Sequence, residues 1–167
     1  MNFTLRPWTI DDAESLALYA NNYEISKNLT DKFPHPYTLE NAKAFIAFAN
    51  GDLPHFIQAI DINGQASGGI GIHFKTDIEY KNAELGYWLA QPFWGKGIMT
   101  KAIGQMVDFG FSHYDINRIY ARPFGSNVAS QKVLEKAGFT LEARFEKTFF
   151  KNGGYQDELV YAIRRHA

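Results

Sequence analysis

The stretch QPFWGKGIMTKAI, residues 91–103, sets two glycines around a lysine, after a strand-like aromatic run and ahead of apolar residues at helical spacing. A glycine turn in that place leaves several backbone N–H groups unpaired at a helix N-terminus, where the positive end of the helix dipole favours an anion. The missing Cβ atoms of Gly95 and Gly97 let a phosphate come close. A pyrophosphate fits such a cradle. Two other phosphate grips do not match: a P-loop needs four residues between its glycines and then Gly-Lys-Ser/Thr, and a dinucleotide fingerprint needs a third glycine where Thr100 stands. The plain alternative is a strand-to-helix turn with no ligand.

The elements around the turn can be read from periodicity. Residues 3–8 alternate as a first strand, and residues 9–22 follow as a short helix with Thr9 or Asp11 as N-cap. Pro34 and Pro36 keep Phe33, His35 and Tyr37 on a loop. Thr38 can cap a helix whose apolar residues Leu39, Ala42, Phe45, Ile46 and Ala49 keep helical spacing up to Asn50-Gly51. HFIQAIDI, ASGGIGIHF and AELGYWLA read as three antiparallel strands, the first two joined through Asn63-Gly64, a strong hairpin signal. Met99, Ala102, Ile103, Met106, Val107 and Gly110 predict an amphipathic helix over residues 98–113. A strand RIYARPF follows, then a helix from Asn127 to a stop at Gly138, then a closing hairpin. The order β-α-α-β-β-β-α-β-α-β-β makes an α/β (α+β) mixed sheet whose middle βαβ unit needs a parallel, right-handed crossover.

Composition excludes whole classes of chemistry. A chain of 167 residues fits one domain and buries roughly 68–70% of its unfolded surface without staples. With 17 Lys and Arg against 18 Asp and Glu the net charge is −1, so no broad basic field invites nucleic acid or an anionic membrane. The absence of cysteine removes thiolate nucleophiles, disulfides and Cys-ligated metals. No signal-like stretch opens the sequence, and no run approaches the roughly 18 apolar residues of a membrane span. The expectation is a soluble cytoplasmic protein without a metal, its oligomeric state open.

WGKGIMTKAI resembles the acyl-CoA-binding motif Q/R-x-x-G-x-G/A of the GNAT N-acetyltransferase superfamily, in the RimJ/RimL-like form that opens on tryptophan. Trp94 takes the opening position, Gly97 the central glycine and Met99 the last, where the family has Gly or Ala. NVASQKVLEKAGF resembles the family's second motif through Asn127, Ser130, Gly138 and Phe139, and the likeness extends from LRPWTIDDAESL to GGYQDELVYAIRR. The resemblance implies a single domain, residues 1–167, of the GNAT acyl-CoA N-acyltransferase fold, and direct transfer of acetyl from acetyl-CoA to an amine. Such transfer needs neither an enzyme nucleophile nor a metal.

For the site it implies that Trp94, Gly95, Lys96, Gly97, Ile98, Met99 and Thr100 hold the pyrophosphate, chiefly through backbone donors. Trp88, Leu89 and Ala90 would hold the pantetheine arm where two parallel strands splay. Asn127 and Ser130, one turn apart, would reach the pantetheine and the sulfur, with a plain N-cap and a solvated helix position as their ordinary readings. Glu84 matches by position the strand glutamate that serves several relatives as general base; an ordinary strand carboxylate is the alternative. Glu142, Glu146, His35 and His73 stand in reserve. Phe33, His35, Tyr37 and Tyr87 would line the acceptor, unless the aromatics only pack the loop onto the core.

The acceptor itself stays open in the sequence. Neutralising an α-amine of pKa near 8 at pH 7 costs on the order of 1 kcal/mol, and a lysine-type amine about 4–5. The RimJ/RimL likeness implies a protein or peptide N-terminal amine, with polyamines or antibiotics as the small-molecule alternative and a non-catalytic acetyl-CoA-binding module as the alternative of another class.

Overall fold

In the computed structural model, residues 1–52 and 54–166 are described. Seven strands form one mixed sheet: β1 (Thr4–Arg6), β2 (His55–Ile62), β3 (Gln65–Phe74), β4 (Asn82–Leu89), β5 (Arg118–Ala121), β6 (Thr140–Lys151) and β7 (Gly154–Arg164). Their order is β1-β2-β3-β4-β5-β7-β6. β1 pairs β2 antiparallel, β4 pairs β5 parallel, and β7 pairs both β5 and β6 antiparallel. The helices are α1 (Ala13–Ala20), α2 (Tyr23–Ser26), α3 (Leu39–Ala49), α4 (Ile98–His113) and α5 (Val128–Lys136). The mixed, mostly antiparallel sheet and its β4-α4-β5 crossover are as the hydrophobic pattern required. The one-turn α2, capped by Asn22 accepting from the Glu24 N–H, is an addition too short to leave a periodic signal.

Boundaries follow local chemistry. β1 stops at Arg6 because Pro7 has no N–H to continue the ladder, and β5 stops at Ala121, just ahead of Pro123. Phe124 rejoins through an isolated bridge to Glu158. Asn63 (φ 56) and Gly64 (φ 82) make the left-handed pair of a tight hairpin between β2 and β3. Thr38 caps α3 in a reciprocal box with Asn41. Gly138, at φ 94, follows the C-cap Ala137 of α5.

Two compact units divide the chain: residues 1–71 with 87–98, and residues 72–86 with 99–167. In the first, Trp8, Leu16, Ile25, Tyr37, Ile46, Ile57 and Trp88 make the core. β3 passes through it with no room to spare: a Cβ on Gly68 would lie 2.6 Å from the Trp88 carbonyl oxygen, and one on Gly69 2.8 Å from the Trp88 indole nitrogen. In the second unit α4 lies close on the sheet at Gly110, where a Cβ would come within 3.1 Å of Ile72 and 3.2 Å of Ile119.

Candidate active site

The glycine turn is built as its sequence requires. Gly95 and Gly97 adopt φ of 72° and 75°, and a Cβ on either would meet nothing within 4 Å. The glycines therefore answer a backbone need, and the space beside them is open. α4 begins at Ile98, so the N–H groups of Ile98, Met99 and Thr100 have no acceptor within the helix. Ile98 and Met99 are buried as whole residues, and the exposed part of the turn is Gly95 to Gly97. Lys96 is exposed, its ammonium 5.6 Å from the Phe93 ring centroid.

Trp94 has a role that the motif alone does not reveal. Its indole N–H donates to the Leu89 carbonyl at 2.7 Å, tying the turn to the end of β4. The Ala90 N–H donates to the Ser67 carbonyl at 2.8 Å, so this end of β4 is held by β3 and by the turn. Trp88, Leu89 and Ala90 are buried, Trp88 against Phe33 with ring centroids 5.7 Å apart.

Around Glu84 the second unit gathers charge. The parallel ladder runs Asn82↔Arg118, Ala83↔Ile119 and Glu84↔Tyr120 and goes no further, whereas β4 continues for five residues to Leu89. Glu84 thus stands at the last paired position. Its Oε2 accepts from Arg122 Nε at 3.3 Å, and Arg122 Nη1 lies 3.6 Å from Oε1 of the buried Glu158 on β7. The Arg122 guanidinium also lies 5.9 Å from the Phe149 ring centroid. Lys75 is held above its ordinary value chiefly by its hydrogen bond with the Tyr120 side chain, with Glu84's charge a smaller contribution.

On α5, Asn127 is the N-cap, its side-chain oxygen accepting from the Ser130 N–H at 3.3 Å. Of the reserve bases, Glu142 is held between Arg118 (3.1 Å) and Arg164 (3.1 Å), and these guanidiniums, Arg118 first, keep its carboxyl below the ordinary range. That makes it a poorer proton acceptor. Glu146 is exposed on β6, and His73 is half-buried on β3.

The loop aromatics divide between core and surface. Tyr37 is 5% exposed, and burial pushes its phenol up to about 12. It packs on Phe33 at 5.0 Å, and Phe33 in turn on Trp88. His35 is exposed, 5.8 Å from the Tyr23 ring, and Tyr87 is half-buried on β4.

A family model described as "Acetyltransferase (GNAT) domain" matches residues 2–140. The chain belongs to the GNAT acetyltransferase family. This GNAT chain is 41% identical over 166 residues to "Probable N-acetyltransferase YjcK" of Bacillus subtilis (strain 168), covering 95% of the chain and 92% of that protein. It is 32% identical over 101 residues to "Putative ribosomal N-acetyltransferase YdaF" of the same organism, a match of 60% of the chain that spans little more than half, 55%, of that relative. Among solved structures, the microcin C7 self-immunity acetyltransferase MccE, in complex with acetyl-CoA and AMP, superposes with a TM-score of 0.84 at 27% identity over 98% of the chain and 92% of that one.

Two features of the GNAT chain had no signal in the sequence. Arg122 sits between two carboxylates that are far apart in the chain, and only the β4–β5 and β5–β7 registers bring them together. In the first unit, Leu18, Tyr19, Asn21, Asn22, Gln91 and Pro92 line an open cleft of about 470 Å³. Its amides are largely spent on the protein: Asn22 donates to Gln91 at 2.8 Å, and Asn21 accepts the Tyr37 N–H at 3.0 Å. Among the described residues no three His, Asp or Glu side chains group as a metal site would need. No helix among them is long and apolar enough to cross a membrane.

Proposed function

We propose that this GNAT chain transfers the acetyl group of acetyl-CoA to a primary amine, with a protein or peptide N-terminal amine as the acceptor. The observation that carries the reading is the left-handed turn at Gly95 and Gly97, open on its outer side and leading into α4. It supports the assignment of the pyrophosphate to the backbone donors from Gly95 to Thr100, with Trp94 fixing the turn and Lys96 adding a cation. The pantetheine arm goes to the main chain of Trp88, Leu89 and Ala90 and to the Asn127 amide. The amine nitrogen attacks the thioester carbonyl carbon, the C–S bond breaks, and CoA leaves as thiolate, to which the Ser130 hydroxyl donates. The ammonium must first lose a proton, and Glu84 takes it directly or through water. Phe33, His35, Tyr37 and Tyr87 are assigned to the acceptor side, Tyr37 and Phe33 through the packing of the loop. Likeness to "Putative ribosomal N-acetyltransferase YdaF" supports a ribosomal acceptor, and so a protein amine, over a small amine.

Two measurements test this. Free thiol released from acetyl-CoA with an amine panel reads CoA alone, because the chain has no cysteine of its own. Calorimetric titration with acetyl-CoA then compares Gly97→Asn with Gly97→Val. Valine at φ 75 strains the backbone by about 1–2 kcal/mol, whereas asparagine tolerates that region, so Asn separates a lost ligand contact from a damaged fold. Both variants are expected to bind acetyl-CoA at least about tenfold more weakly, a loss of roughly 1.4 kcal/mol. Wild-type affinity in Gly97→Asn removes the turn from the site.

A further inference from the structure

Two carboxylates from different strands share one guanidinium in the second unit. Glu84 ends the paired part of β4, Glu158 lies on β7, and Arg122 reaches Glu84 at 3.3 Å and Glu158 at 3.6 Å. Glu158 is buried and Arg122 exposed, so the acidic pair is anchored in the fold while the cation is held at the surface by side-chain contacts, the Phe149 ring among them. The three charges sum to −1. Lys75 is a further cation near Glu84, but its hydrogen bond is to the Tyr120 side chain. A carboxylate pair with one movable counter-ion is a place that a second cation can enter: it gains Glu84 while Arg122 keeps Glu158.

We propose that Arg122 is a positioning residue that occupies, in the free protein, the place of the acceptor's ammonium beside Glu84, and that it withdraws onto Glu158 when the acceptor binds. The inference rests on the acetyl-transfer reading above and adds to it the acceptor's charge state: the amine arrives protonated and must displace a cation. Arg122 therefore competes with the acceptor and keeps Glu84 oriented between turnovers. Neutral amines, which cannot replace a guanidinium beside a carboxylate, are disfavoured.

The test is steady-state thiol release from acetyl-CoA with two acceptors, spermidine and a short peptide with a free N-terminal alanine. It is run on the wild-type chain and on Arg122→Gln, Arg122→Lys, Glu158→Gln and Arg144→Gln, each first checked by thermal unfolding. Arg122→Gln removes the competitor and is expected to lower the acceptor KM about 2- to 5-fold at low salt, with the difference shrinking at about 0.5 M salt. The KM for acetyl-CoA stays put. Arg122→Lys keeps a cation and stays near wild type. Glu158→Gln takes away the place of retreat and raises the acceptor KM, which gives an opposite-sign check if Arg122→Gln proves unstable. Arg144→Gln removes an equal charge from the ion pair with Asp157 and leaves the acceptor KM unmoved. An unchanged or raised acceptor KM in Arg122→Gln, with thiol release otherwise normal, overturns the role of Arg122 and leaves acetyl transfer standing. No thiol release from the wild-type chain with either acceptor overturns the acetyl-transfer reading and this inference with it.

Discussion

Glu84 shows how a residue's neighbours sharpen what its type suggests. As a strand carboxylate it could have been a solvated charge, but it sits at the last rung of a parallel ladder, ion-paired to Arg122. Glu84→Gln keeps the shape of the side chain and removes the proton acceptor, so turnover is expected to fall about 10²-fold at neutral pH. The deficit has a direction with pH. An α-amine of ordinary pKa near 8 is already neutral above that value, so the rate profiles of wild type and variant should converge as pH rises through it. Rates measured between pH 6.5 and 9.5 decide the matter. A constant ratio across that range, with a raised acceptor KM, would make Glu84 a counter-ion only and send the search for a base to Glu146 or His35. Glu142 is the weaker reserve because Arg118 and Arg164 already hold its charge.

At the scale of elements, the close seating of β3 against the end of β4 is what places the turn. Gly68 lets the Trp88 and Leu89 backbone come near, Gly69 makes room for the Trp88 indole, the Ala90 N–H bonds the Ser67 carbonyl, and Trp94 ties the turn to Leu89. At Gly68 the obstacle to a side chain is a backbone oxygen 2.6 Å from the added Cβ, which cannot rotate away. Gly68→Ala is therefore expected to destabilise by about 1–3 kcal/mol, the range for overpacking a filled core, or roughly 2–12 °C in Tm for a domain of this size. Thermal unfolding followed by circular dichroism checks it. The matched control, Gly64→Ala, faces open space but carries φ 82, so its cost is conformational alone. The wall against Gly68 is legible only in the structure, since a sequence shows a glycine in a strand but not what lies across from it.

For the molecule as a whole, two groups of the first unit, Asp12 and Tyr37, tie stability to pH from opposite ends. Burial raises the Asp12 carboxyl, but the two-pronged Arg6 guanidinium (2.8 Å to each oxygen) and the Thr9 N–H outweigh it and hold Asp12 below its ordinary value. A lowered folded value means stability present above the unfolded value, about 3.9, and lost as pH falls through the folded one. Tyr37 works in the opposite direction. Its phenol is raised from 10.0 to about 12 by burial, so its contribution is complete below pH 10 and is lost as pH climbs toward 12. Denaturant titrations across pH should show an acid limb that flattens in Asp12→Asn and an alkaline limb that flattens in Tyr37→Phe. An alkaline limb unchanged in Tyr37→Phe would assign it to other phenols.

Local chemistry made much of this protein legible in its order of residues. Helical spacing delimits α3, α4 and α5, caps at Thr38 and Asn127 open α3 and α5, Asn63-Gly64 closes its hairpin, and Gly95 and Gly97 mark a left-handed turn, because each depends on neighbours within a few positions. The same holds for the family likeness, carried by residues 94–103 and 127–139 and answered by the match over residues 2–140. Tertiary structure alone decided the rest. It ended the β4–β5 ladder at Glu84, set Arg122 between Glu84 and Glu158, spent the Trp94 indole on Leu89, and sent Tyr37 and Trp88 into the core. These depend on strand register and on which face of each element is covered. Residue spacing carries neither, since the two carboxylates that share Arg122, Glu84 and Glu158, lie 74 positions apart.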